Sequence, residues 1–136
     1  MKATEAAALP VRPGEGPWTP EELEQVRNQL ESEIVAQREE IRESENEVDE
    51  LLTDPVAGAG DDPADTGAKT FQREHDLALA YNTRDLLAKN ERAIERMRAG
   101  TYGVCESCGQ AIGKARLQAF PRATLCVTCK QREERR

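Results

Sequence analysis

Apolar residues recur at helical spacing along two long stretches of this chain. In the first, Leu23, Val26, Leu30, Ile34, Ile41, Val48 and Leu51 follow one another mostly three, four or seven positions apart, and Gln37 and Ser44 fill the gaps in that line. A stripe this narrow is the face a helix uses in a coiled coil. It begins at a clear start signal, TPEE: Thr19 can cap the helix, Pro20 suits the first helical position, and Glu22 completes a capping box. The pattern predicts a helix of about 34 residues, which spans about 50 Å at about 1.5 Å per residue.

Pro55, Gly58, Gly60, Pro63 and Gly67 then interrupt the periodicity and predict a turn, with a loop over about 54–68. A second helix is predicted from about Lys69 to Ala99. Its seam is drawn through Phe71, His75, Leu79, Asn82, Leu86, Ala93 and Met97, and Leu77, Leu87 and Ile94 widen it. Leu30, Ile41, Val48, Leu79 and Leu86 are expected to be buried there. Gly100 suits the C-terminal stop. Two long helices joined by one turn fold back antiparallel. The expected fold class is therefore mainly α: a long antiparallel coiled-coil helical hairpin over residues 19–99, then a small four-cysteine module over 100–136 with a C-terminal helix. Residues 1–18, rich in Ala, Pro and Gly, are expected to be disordered.

Composition supports this division. Of 136 residues, 38% are hydrophobic, 33% charged and 4% aromatic, too little apolar material for a large globular core and enough for a coiled coil with a small stapled module. The net charge of -7 argues against a general DNA or membrane binder. The charge is uneven. Thirteen acidic residues face three arginines between Pro20 and Asp54, whereas nine basic residues face three acidic ones from Arg96 onward. That basic end could meet phosphate or an acidic surface; Arg132, Arg135 and Arg136 read equally well as a solubilising tail. No apolar run is long enough for a transmembrane helix, and the N-terminal residues lack the apolar stretch of a signal peptide. The chain is expected in the cytoplasm, where thiols stay reduced and paired cysteines point to metal before disulfide.

The cysteines are the strongest chemical signal. Cys105 and Cys108 form one C-x2-C pair, Cys126 and Cys129 another, and together they use every cysteine of the chain. Two such pairs give a closed shell of four thiolates that suits one structural Zn2+. The few apolar residues nearby, Tyr102, Val104, Ile112, Leu117, Phe120 and Leu125, cannot fold the module alone, so zinc is expected to hold it together. Lys114, Arg116, Arg122 and Lys130 are candidates to offset the negative charge of the four-thiolate site. A saturated shell leaves no open position for catalysis. No nucleophile–base pair or phosphate-cradling glycine loop stands in the sequence, and His75 reads as a seam or surface residue. The chain is not expected to be an enzyme.

A helical hairpin followed by this module resembles the DksA/TraR family of bacterial RNA polymerase regulators. The resemblance runs over about residues 45–132 and is densest in the pieces Tyr102 to Gly109, Ile112 to Pro121 and Leu125 to Cys129. It implies a regulator of initiation that inserts its hairpin into the secondary channel of RNA polymerase, with the tip near the catalytic Mg2+, and changes open-complex stability. It implies no sequence-specific DNA contact and no membrane; the expected state is a monomer. The family's Asp-x-x-Asp-x-Ala tip motif aligns with Asp62, Asp65 and Gly67, so these become the candidate partner-binding residues, with glycine in place of the motif's alanine. From the residues alone the acidic stretch GDDPADTG reads as a solvated turn; the resemblance makes its carboxylates the working end. A second reading is a zinc-finger adaptor that binds nucleic acid or another protein, with the hairpin as a spacer.

Overall fold

Thr19 starts the first long helix through a reciprocal pair of hydrogen bonds. The Glu22 amide donates to Thr19 Oγ1 at 3.2 Å, and the Thr19 amide donates to Glu22 Oε1 at 3.1 Å. This is the capping box that TPEE encodes, and it satisfies two backbone donors that the helix itself leaves open. The structure, a computed structural model, describes residues 3–53 and 63–135. Among these, α1 covers Ala3–Ala7, α2 Pro20–Thr53, α3 Pro63–Ala99, α4 Lys114–Ala119 and α5 Val127–Glu134. The described residues form no β-strand, only an isolated bridge between Val104 and Ala111. The two long helices pack together and the four-cysteine segment follows them.

Contacts divide the chain into one unit of residues 1–33 with 89–136 and another of residues 34–88. The first unit holds most of the core. Leu23, Val26 and Leu30 of α2 are buried, as are Ala93, Ile94 and Met97 of α3, and Tyr102, Ile112 and Leu117 beyond it. The N-terminal segment belongs to this core too. Ala6, Leu9 and Trp18 are buried, and the Trp18 and Tyr102 rings meet at 6.2 Å in a tilted arrangement. Residues 3–18 thus differ from the expected disorder. Their composition is poor in large apolar residues, but Leu9 and Trp18 are enough to anchor them. Asn90 is fully buried and donates from Nδ2 to Glu33 Oε2 at 3.1 Å.

In the second unit α2 presents the expected line: Ile34 is buried, and Gln37, Ile41 and Ser44 are half-buried. The line on α3 is not the expected one. Ala80 and Thr83 are buried and Arg73, Asp76 and Leu87 are half-buried, spaced four and three apart, and the same line runs on through Asn90, Ile94 and Met97 in the first unit. Phe71 is 71% exposed, Leu79 is 46% exposed, and His75 and Asn82 are also exposed; Leu86 is half-buried. Thr83 meets burial by donating its hydroxyl to the Leu79 carbonyl at 2.9 Å. Glu45 of α2 and Arg84 of α3 form an ion pair. The second helix also begins earlier than expected, at Pro63 rather than about Lys69. Proline is preorganised for a first helical turn, so a residue that sequence reasoning took as a breaker opens the helix instead. The Val48 side chain lies outside the described residues.

Candidate metal centre

Two tight turns bring the cysteines together. Around the first pair, the Cys105 amide donates to the Gln110 carbonyl at 2.8 Å, Gly109 N–H to the Cys105 carbonyl at 3.0 Å, and Ile112 N–H to the Gly103 carbonyl at 2.8 Å. Gly103 and Gly109 take φ of 92° and 75°, which side-chain-bearing residues rarely adopt, so both glycines are needed to close the knuckle. The second pair is set by a helix. Cys126 is the N-cap of α5 in an extended conformation, and Cys129 lies in its first turn. The Glu106 amide donates to the Thr124 carbonyl at 2.9 Å and ties one pair to the other.

The result is one cluster. The four Sγ atoms lie within 4.8 Å of one another, with Cys108 and Cys126 at 3.8 Å. A tetrahedron with Zn–S bonds of about 2.3 Å has sulfurs about 3.8 Å apart, so the donor set fits one zinc ion. Cys105, Cys126 and Cys129 are buried, while Cys108 is exposed. It is the one such cluster among the described residues.

The electrostatics favour a cation there. Burial pushes the Cys105 thiol up, but backbone N–H groups of Cys108, Cys126 and Ser107 outweigh it and bring it down to about 6. The Cys129 N–H lowers Cys126 likewise. The Ser107 side chain lowers Cys129, yet the neighbouring Cys126 thiol, burial, Cys105 and Cys108 together raise it to about 11. Two sulfurs are drawn toward thiolate while a third is held protonated by its neighbours. A bound dication removes that conflict, because it lets every sulfur ionise at once.

Three of the four basic residues expected to offset the thiolates have other partners. Lys114 Nζ pairs with Glu22 Oε1 at 2.6 Å, Arg116 Nε donates to the Leu125 carbonyl at 3.1 Å, and Arg122 Nη1 meets Glu33 Oε2 at 3.4 Å. They brace the module instead. Arg96 does the same: its Nη2 donates to the Val104 carbonyl at 2.6 Å beside Glu106, which also pairs with Arg92 at 2.6 Å. Glu15 is a site residue that sequence reasoning missed. Its two carboxylate oxygens accept the Lys114 and Ala115 amides of α4, both at 3.0 Å. Nothing in the sequence links positions about 100 residues apart, so no signal could have found it.

Of the tip candidates, Asp62 lies outside the described residues, and Asp65 is on α3, though its side chain is likewise not described. Gly67 is helical with no positive φ and with open space where a Cβ would stand. Gly67 belongs to the unit of residues 34–88, and the cysteines to the other.

Residues 100–135 match the family model for the Prokaryotic dksA/traR C4-type zinc finger. A curated relative from Caulobacter vibrioides, named RNA polymerase-binding transcription factor DksA, is 38% identical over 104 residues, which cover 76% of this chain and 72% of that protein. This chain belongs to the DksA/TraR family. The Escherichia coli protein of the same name is 34% identical over 121 residues, covering 88% of this chain and 76% of its own. Among solved structures, transcription factor DksA2 from Pseudomonas aeruginosa is similar with a TM-score of 0.70 and 30% identity, covering 85% of each chain. The DksA/TraR pattern accounts for both parts of the molecule, a pair of long packed helices and a C4-type zinc finger able to hold one zinc ion.

Proposed function

We propose that this chain is a bacterial transcription regulator that binds RNA polymerase and modulates initiation through the secondary channel. The observation that carries the reading is the pairing of two long helices with a four-sulfur cluster in a chain similar, over most of its length, to proteins named RNA polymerase-binding transcription factors. Cys105, Cys108, Cys126 and Cys129 hold one structural Zn2+ in this reading, and the ion shapes the module without reacting. Asp62 and Asp65, with Gly67 beside them, act at the end of the hairpin. A carboxylate brought into a site containing Mg2+ and basic residues works through charge and hydrogen bonds, not by chemistry of its own. The chain acts in the cytoplasm as a non-enzymatic monomer and makes no sequence-specific DNA contact. No helix among the described residues is long and apolar enough to cross a membrane.

The test is a pull-down of bacterial RNA polymerase by the tagged full chain, with competition by other secondary-channel factors. Stoichiometric recovery of polymerase subunits that such competitors displace supports the reading. Binding to nucleic acid alone, falling steeply with salt, favours the adaptor reading instead.

A further inference from the structure

The N-terminal segment between Leu9 and Trp18 lies outside the matched zinc-finger residues, yet it touches the loops that the cysteines tie. A Cβ on Gly103, two residues before Cys105, would stand 3.7 Å from the Pro10 carbonyl oxygen and 3.2 Å from Leu117 Cδ1. Gly113 is packed so closely against Arg12 that a Cβ would meet Arg12 Cδ at 3.0 Å. Glu15 accepts the first amides of α4, and the Pro17 carbonyl accepts Lys114 Nζ at 3.3 Å. Val11, Arg12 and Pro13 share a cleft of about 370 Å³ with Cys108, Cys126 and Cys129. The partners of the segment are thus residues 103 and 113–115, on the turns leading into and out of the first cysteine knuckle. Those turns adjoin Cys105 and Cys108, so an ion held by the four cysteines would help to fix their shape. The segment ends at Trp18, which is 1% exposed but whose Nε1 has no hydrogen-bond partner. Burial of that donor carries a cost that undocking relieves.

We propose that residues 9–18 form a strap whose docking is coupled to zinc: the metal-bound module holds the strap down, and loss of the metal releases it and exposes Trp18. Coupling of this kind is reciprocal, so the docked strap also strengthens zinc binding by the same factor. This holds whether or not the chain binds RNA polymerase.

Trp18 is the chain's one tryptophan, so all of the indole emission comes from the end of the strap. In the full-length wild type, stripping zinc with a chelator should shift Trp18 emission to the red and raise acrylamide quenching toward that of the denatured chain, and adding zinc back should reverse both. In Glu15→Ala, which removes the contact to α4, competition against a chromophoric chelator should show zinc held about five-fold more weakly, the size of a lost helix cap. Circular dichroism on the variant checks that the long helices remain, and the wild-type arm needs no variant. The proposal is overturned if Trp18 stays dry and unquenched after metal analysis shows the zinc gone, or if Glu15→Ala binds zinc as tightly as wild type.

Discussion

Tyr102 shows how much a single side chain contributes to the zinc module. Its ring is buried and its hydroxyl donates to the Pro121 carbonyl at 2.7 Å, across the segment that separates the two cysteine pairs. Tyr102→Phe should cost about 1 kcal/mol, the net worth of one such bond, read as a lower urea midpoint. The same residue gives a pH dependence with a definite sign. Burial raises the hydroxyl's pKa above its usual value, with only a partial opposing pull from Arg96. The unfolded chain therefore loses this proton first, near pH 10, while the folded chain keeps it, so stability falls as pH rises above about 10. The wild type should lose stability over that range relative to Tyr102→Phe; parallel midpoints for the two proteins from pH 8 to 11 would show that the hydroxyl titrates freely. The cysteines were legible at this scale because the C-x2-C spacing is itself the ligand geometry. Glu15 was not, because its partners Lys114 and Ala115 are brought to it only by the fold.

The two long helices separate what periodicity can read from what it cannot. On α2 the large apolar residues are the seam, so the pattern found Leu23, Val26, Leu30 and Ile34. On α3 the buried face of the second unit is Ala80 and Thr83, too small or too polar to stand out beside Phe71 and Leu79, which point to solvent. A rule that ranks positions by hydrophobicity draws that seam through the wrong residues. The corrected seam makes opposite forecasts for two neighbours. Leu79→Ala should change stability by no more than about 0.5 kcal/mol, as exposed positions do. Ala80→Asp should cost several times more, because it buries a charge with no partner. Equal melting curves for these two variants would return the seam to Leu79. Leu30→Ala, at a position with no exposed surface, should cost about 2–5 kcal/mol. Gly67 is helical rather than part of a loop, and nothing would crowd its Cβ. Gly67→Ala should therefore stabilise the chain by about 0.4–1 kcal/mol in thermal unfolding; a loss of stability would place Gly67 in a conformation that only glycine takes.

At the level of the whole molecule, two kinds of interaction are expected to hold the structure: a zinc ion at the four cysteines for the module, and side-chain packing for the hairpin. Chelation should lower zinc below about half an equivalent and disorder the module, yet leave most of the helical signal, since α2 and α3 carry most of the helix and rest on packing rather than metal. Loss of the full helical signal on metal removal would mean that the hairpin depends on the ion. The fold class and family were legible because a coiled-coil stripe and a four-cysteine framework are both written locally in the chain; the burial of Leu9 and Trp18 was not, because the composition around them is loop-like. In the proposed function the acidic end of the hairpin acts on RNA polymerase during initiation. Its most direct measurement is the lifetime of a promoter open complex with RNA polymerase and wild type, Asp62→Asn or Asp65→Asn, each at equal polymerase occupancy. Both variants should still bind, because most of the chain is unchanged, and their effect on complex lifetime should shrink well below that of wild type. Decay curves for both variants that overlay the wild type's would contradict it and leave Asp62 and Asp65 as ordinary solvated carboxylates.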